Sequence, residues 1–163
     1  MSDLTENLQA APDLLQRRAD IIELYKANKR GKAEEAARAL LADTPDDAET
    51  ISILAAVLID RQQFVEAEAA LRRALTLAQD KPIPWQNFGR FLQQHNRWGE
   101  ALAHYTQATA RFPTNAMFAA TLGQLCQRAG QFAQAEQAYR QASAAEPQNP
   151  TTIMNIGMVV LRQ

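Results

Sequence analysis

Residues 98–113, WGEALAHYTQATARFP, are restated 34 residues later as FAQAEQAYRQASAAEP. In both stretches Ala follows the opening aromatic by three residues (Ala101, Ala135) and Tyr comes four later (Tyr105, Tyr139). A further Ala (Ala108, Ala142) and a closing Pro (Pro113, Pro147) complete the match. One more step back, FVEAEAALRRALTLAQ opens at Phe64 and carries Ala67, Leu71 and Ala74 at the corresponding places. A fixed period of this length marks a chain in which one supersecondary unit, unable to bury its apolar face alone, is stacked on copies of itself.

The units run over residues 48–81, 82–115 and 116–149, followed by a terminal half-repeat helix over 150–163. Each holds two apolar runs at helical spacing. Trp85, Phe88, Gly89 and Leu92 lie at i, i+3, i+4 and i+7, one face of a helix, and Trp98, Ala101, Tyr105 and Ala108 do the same after a break. Asn96 and Gly130 suit the left-handed residue that ends a first helix. Pro82 and Pro150 fit a first helical position, where a missing N–H is harmless. Pro113 and Pro147 follow second helices and help to stop them. No stretch alternates with period two, so no sheet is expected. The expectation is helix–turn–helix units with turns near residues 30, 62, 96 and 130.

The front end departs from the pattern. Aligning Gly31 with Gly130 leaves Pro45 too close behind it, which predicts a second helix about one turn short. A first helix starting near Pro12 would carry Leu15, Ile21, Ile22 and Tyr25. Residues 12–47 therefore read as a degenerate first repeat that caps the stack, and residues 1–11 as a loosely ordered N-terminus. Within the stack, Ala55, Gly89, Gly123 and Gly157 recur at one place in each unit and let helices approach closely. Trp85, Phe88, Trp98 and Tyr139 are expected to fill the space between. The last helix is expected to leave apolar surface near Ile156, Val159 and Val160, a route to self-association.

These residues resemble the tetratricopeptide repeat, whose pattern W-x2-L-G-x2-Y…A-x3-F…P is met by Trp85, Phe88, Gly89, Leu92, Ala101, Tyr105 and Pro113. Leu122, Gly123, Cys126, Ala135, Tyr139 and Pro147 meet it again, with Ala119 in place of the tryptophan. The resemblance covers residues 46–163 and implies an all-α, right-handed superhelical solenoid of antiparallel helix pairs. It also implies that the first-helix faces line a concave groove that binds other proteins.

Composition narrows the function classes. A net charge of −1 gives no electrostatic case for nucleic acid. The start lacks a basic, then apolar, secretory leader, and no run of about 18 apolar residues suggests a membrane span. The single Cys126 fits a reducing compartment, so a cytoplasmic location is expected. His95 and His104 read as surface histidines without ligand partners, Cys126 as a packed structural thiol, and Gly130 and Gly157 as isolated glycines rather than a phosphate loop. No metal, no cofactor and no catalytic constellation is expected, and the chain does not read as an enzyme.

What remains is the face opposite the packed one. At 100° per residue it carries Ser52, Gln86, Asn87, Arg90, Gln93, Gln94, Thr121, Gln124, Gln127, Met154, Asn155 and Met158, together with Ala56 and Ile59. Amides offer donor and acceptor together and can bind peptide backbone with little regard to sequence. Related grooves that clamp acidic chaperone tails use several lysines and arginines, and here Arg90 has no lysine partner. The asparagine ladder of O-linked N-acetylglucosamine transferases is closer: Asn87 and Asn155 match it, while Ile53 and Thr121 break it. The reading is a scaffold that holds a peptide segment of another protein in this groove. The alternatives are the N-terminal repeat region of a bacterial sulfotransferase or glycosyltransferase, and a repeat-type secretion chaperone.

Overall fold

A computed structural model describes the backbone of residues 2–162 and the side chains of residues 12–162. Among the described residues all regular structure is helical: α1 (Ser2–Lys26), α2 (Arg30–Asp43), α3 (Ala48–Asp60), α4 (Phe64–Leu77), α5 (Pro82–Gln94), α6 (Trp98–Arg111), α7 (Ala116–Arg128), α8 (Phe132–Ala145) and α9 (Pro150–Val160). The fold is the expected all-α series of helix pairs.

The pairs are cut by one repeated local motif. Asn28, Gln62, Asn96 and Gly130 hold positive φ of 61°, 61°, 58° and 75°. Directly after them the amides of Lys29, Gln63, Arg97 and Gln131 donate to the carbonyls of Leu24, Leu58, Leu92 and Cys126 at 3.0, 2.9, 2.9 and 2.8 Å. This is the six-to-one closure that satisfies the orphan carbonyls at a helix end. It occurs four times at the sequence period, near the expected turn positions.

The motif corrects the reading of the front end. Asn28, not Gly31, is the turn residue, and Gly31 lies inside α2. An asparagine reaches the left-handed region because its short polar side chain bonds locally, so a glycine is not required there. Once Asn28 sets the register, α2 is not a turn short: it has 14 residues, like α4, α6 and α8. Ala33, Ala37 and Leu40 are buried in phase with Ala67, Leu71 and Ala74. The start of α1 also differs, at Ser2 rather than near Pro12, which lies inside the helix. The good helix formers Glu6, Leu8, Gln9, Ala10 and Ala11 carry the helix across the missing donor. The loose order expected of residues 1–11 falls on side chains outside the described ones.

Contacts divide the chain into two compact units, residues 1–88 and 89–163, with α5 crossing the division. In the first unit the core of Ile21, Leu40, Ile51, Leu58 and Leu71 is overlaid by ion pairs between helices. Arg17 reaches Asp43 at 2.8 Å, Arg30 reaches Asp60 at 3.0 Å and Arg38 reaches Glu66 at 2.6 Å. Arg61 pairs with the buried Glu34. Arg18 of α1 holds both Asp47 and Glu49 at the start of α3. Asp47 is also the N-cap of α3, accepting from the Thr50 amide at 3.2 Å and from its hydroxyl. Burial alone would raise the Asp47 carboxyl. The hydrogen bonds from Arg18 and Thr50 outweigh it and hold the group below its ordinary value of 3.8.

In the second unit the small residues act as expected. A Cβ on Gly89 would sit 2.6 Å from the Tyr105 ring, and one on Gly123 would sit 2.7 Å from the Tyr139 ring. Tyr139 is fully buried in a cluster with Cys126, Ala135 and Val159. Burying a ring of this size contributes roughly 1.5–3 kcal/mol or more. Trp98 is half-buried beneath the Arg128 guanidinium, 3.9 Å from its ring centre. At Gly157 nothing lies within 4 Å of an added Cβ. The apolar exposure expected of the last helix is present but shifted: Ile153, Met154, Met158, Val160 and Leu161 are exposed, whereas Val159 is fully buried. Val159 shares its face with the buried Thr152 and Asn155, at helical spacing.

Candidate functional site

In the first unit the first-helix faces of α1, α3 and the start of α5 converge on an apolar pocket of about 350 Å³. Ile22 and Tyr25 come from α1, Ser52, Ile53 and Ala56 from α3, and Ile83, Pro84 and Asn87 from α5. Ser52 is half-buried because its hydroxyl turns back to the Ala48 carbonyl at 2.8 Å, a bond that holds it against its own helix. Gln86 and Asn87 are half-buried as well. Tyr25 donates from its hydroxyl to Asp60 at 2.9 Å, and burial together with that carboxylate pushes the phenol above its usual range.

In the second unit Arg90, Gln94, Gln124, Met154 and Met158 are exposed. Among the described residues Arg90 has no ion-pair partner. Burial pushes the Tyr105 phenol up, and the charge of Arg90 acts against that shift. Gln93 and Gln127 have a second task. Their side-chain carbonyls accept from Tyr105 and Tyr139 at 3.4 and 3.1 Å, so each amide orients the phenol that fills the space over a glycine. Thr121 donates back to Met117 at 2.8 Å and is half-buried. Asn155, expected on the free face, is buried instead, because its position points toward the preceding pair along with Thr152 and Val159. The amide ladder is therefore thinner than its sequence pattern.

On the opposite, second-helix side of this unit, α6 and α8 flank a cleft of about 800 Å³ lined by Ala103, Thr106, Gln134, Gln137 and Gln141, with Cys126 among its walls. Burial pushes the Cys126 thiol up, in keeping with a structural rather than reactive group. His104 is not a surface residue. It is buried, edge-on to Tyr105 with ring centres 5.6 Å apart, because it precedes Tyr105 on the inward side of α6. Among the described residues no group of three or more His, Cys, Asp or Glu is placed to hold a metal ion, and no helix is long and apolar enough to cross a membrane.

The apolar pocket of the first unit was not singled out by sequence reasoning. Its signal was present: Ile53 stands where Asn87 and Asn155 stand in later units, and Ile83 opens α5 beside two prolines.

Known proteins agree with this architecture. The tetratricopeptide-repeat family matches residues 18–82 and, in a second form, residues 92–151. No curated protein sequence matches the chain. Among solved structures, a MamA protein superposes with a TM-score of 0.75 at 17% identity, over 91% of this chain and 81% of its own. PilF of Pseudomonas aeruginosa superposes with a TM-score of 0.71 at 20% identity, over 90% and 68%. YrrB, described as a repeat protein of this type with an unusual peptide-binding site, gives 0.67 at 15% identity, over 86% and 73%. At such identities the likeness is one of fold.

Proposed function

This chain belongs to the tetratricopeptide-repeat family, and from that premise we propose that it is a non-catalytic scaffold that binds a peptide segment of another protein on its first-helix faces. The observation that carries the reading is the exposure of Arg90, which has no ion-pair partner among the described residues, on a face where packing does not require a charge. By contrast, Arg17, Arg18, Arg30 and Arg38 of the first unit are committed to carboxylates of neighbouring helices and their caps. The exposed amides of Gln94 and Gln124 supply donors and acceptors for a peptide backbone in the second unit. Asn155 is buried and has no part in it. That YrrB binds peptide on the same fold is consistent with this use of the repeat.

The test is a titration. A partner recovered by affinity capture and identified by mass spectrometry is measured against Arg90→Ala and against Gln137→Ala, in the cleft on the second-helix side. Arg90→Ala should weaken binding by about 1–3 kcal/mol, the range for a charge-assisted hydrogen bond, with the unfolding midpoint nearly unchanged. Loss of binding in Gln137→Ala alone would move the partner to the α6–α8 cleft and end the proposal.

A further inference from the structure

We infer that the apolar pocket of the first unit seats one bulky aliphatic or aromatic side chain of the bound segment, and that Lys81 at its rim meets a carboxylate next to that anchor. The inference rests on the peptide-binding reading above and names the chemistry of the peptide.

Three independent observations converge. The pocket is walled by Ile22, Ile53, Ala56, Ile83 and Pro84, and its volume of about 350 Å³ falls in the range at which concave apolar sites hold ligand groups. Two of its large side chains are left open to solvent, Ile83 at 63% and Ile22 at 37%. Exposed β-branched side chains gathered around a concavity, rather than scattered singly, mark a surface that something apolar covers. The sequence period supplies the second observation. The place held by asparagine in two later units is held by Ile53 here, so the apolar character belongs to this face and not to the repeat in general.

Charge supplies the third. Of the titratable groups on the pocket wall, Glu49 is taken by Arg18, and the Tyr25 hydroxyl is spent on Asp60. Lys81 is exposed and, among the described residues, carries no ion pair. The charge left uncommitted at the rim is therefore positive, and its complement is a carboxylate. A lysine on a flexible stem can meet that carboxylate at either side of the anchor without fixed geometry. The ligand segment is apolar with an acidic neighbour, in either chain direction.

A phage-displayed library of random dodecapeptides, panned on the whole chain, tests this. Selected peptides should be enriched in Leu, Ile, Met or Phe beside Asp or Glu. A synthetic copy of the leading peptide should bind at least tenfold more weakly to Ala56→Phe, whose ring fills the pocket from its wall. Ile83→Ser, at an exposed position that does not endanger folding, should weaken it severalfold. Lys81→Glu should invert the preference, favouring a copy in which the acidic residue is replaced by Lys. Peptides that bind all three variants as well as wild type but fail on Arg90→Glu would overturn the anchor while leaving the groove in place. Peptides indifferent to every one of these changes, or no selection at all, would overturn both.

Discussion

Set side by side, the two units fill the same position of the repeat with different residues. In the first unit the corresponding positions of first and second helix hold Ile21 and Ala37, then Ala55 and Leu71, all buried. In the second unit they hold Gly89 with Tyr105 and Gly123 with Tyr139, with each ring pressed against the glycine's backbone. Bulk lies on the first helix in the first of these pairs and on the second helix in the other three, while each pair keeps one large and one small partner. A core at crystal-like density constrains the volume of the pair, not either residue alone. The units also differ in what binds helix to helix outside that core. The first uses arginine–carboxylate pairs between helices. In the second, the tyrosine hydroxyls reach across to Gln93 and Gln127.

The pairing claim can be broken most directly at Gly123. Gly123→Ala drives a methyl group into a buried ring and should cost about 1–3 kcal/mol, as overpacking does, read from urea denaturation. Adding Tyr139→Leu recreates the Ala55–Leu71 arrangement of the first unit. The double variant should be more stable than the sum of its single effects by about 1 kcal/mol or more, the coupling of residues in contact. Strict additivity would show that the pair is not the unit of packing.

The polar side of the comparison is sharpened by pH. Asp47 is held below its ordinary value of 3.8 in the folded chain, so the stability it contributes is fully present above that pH. It is lost as pH falls below 3.8 toward the folded value. The unfolding midpoint of the wild type should drop through this window. Asp47→Ala should start lower by about 1 kcal/mol at neutral pH, a typical value for a lost helix cap, and should show a shallower acid decline. Hydrogen exchange should place the difference in α1 and α3. An equal effect in α7 and α8 would erase the distinction between the units.

The smallest effect belongs to Gly157, the same repeat position with nothing facing it. Gly157→Ala should stabilise the chain by roughly 0.5–1 kcal/mol through helix propensity alone, opposite in sign to Gly123→Ala. A loss of stability would mean that this face is covered in solution, and sedimentation would then show association.

Much of this was legible in the sequence, because period and residue type carry the same information twice. The helix pairs, the turns at Gln62, Asn96 and Gly130, and the close approach at Gly89 and Gly123 follow from one spacing rule. The front end misled because glycine was taken as the mark of a left-handed turn, and Asn28 serves there at modest cost. The candidate face was less legible. An angle of 100° per residue cannot tell whether an amide looks into solvent, as at Gln124, accepts from a tyrosine, as at Gln127, or is covered by the preceding pair, as at Asn155. His104 shows the same limit, since its burial is decided by neighbours in space and not by its own helix. The apolar pocket needs three helices to exist, and no single one announces it.

The matching of volumes within each pair has an evolutionary consequence. Arrays of this kind lengthen and shorten when recombination joins a helix of one copy to a helix of another. A loss that fuses α5 to α8 brings Gly89 opposite Tyr139 and leaves a matched pair, so the shorter chain inherits a sound core. A loss that fuses α3 to α6 brings Ala55 opposite Tyr105 and sets a methyl group against a ring. The array can therefore contract silently between its later copies, but contraction across its earlier ones needs a second mutation in the same lineage.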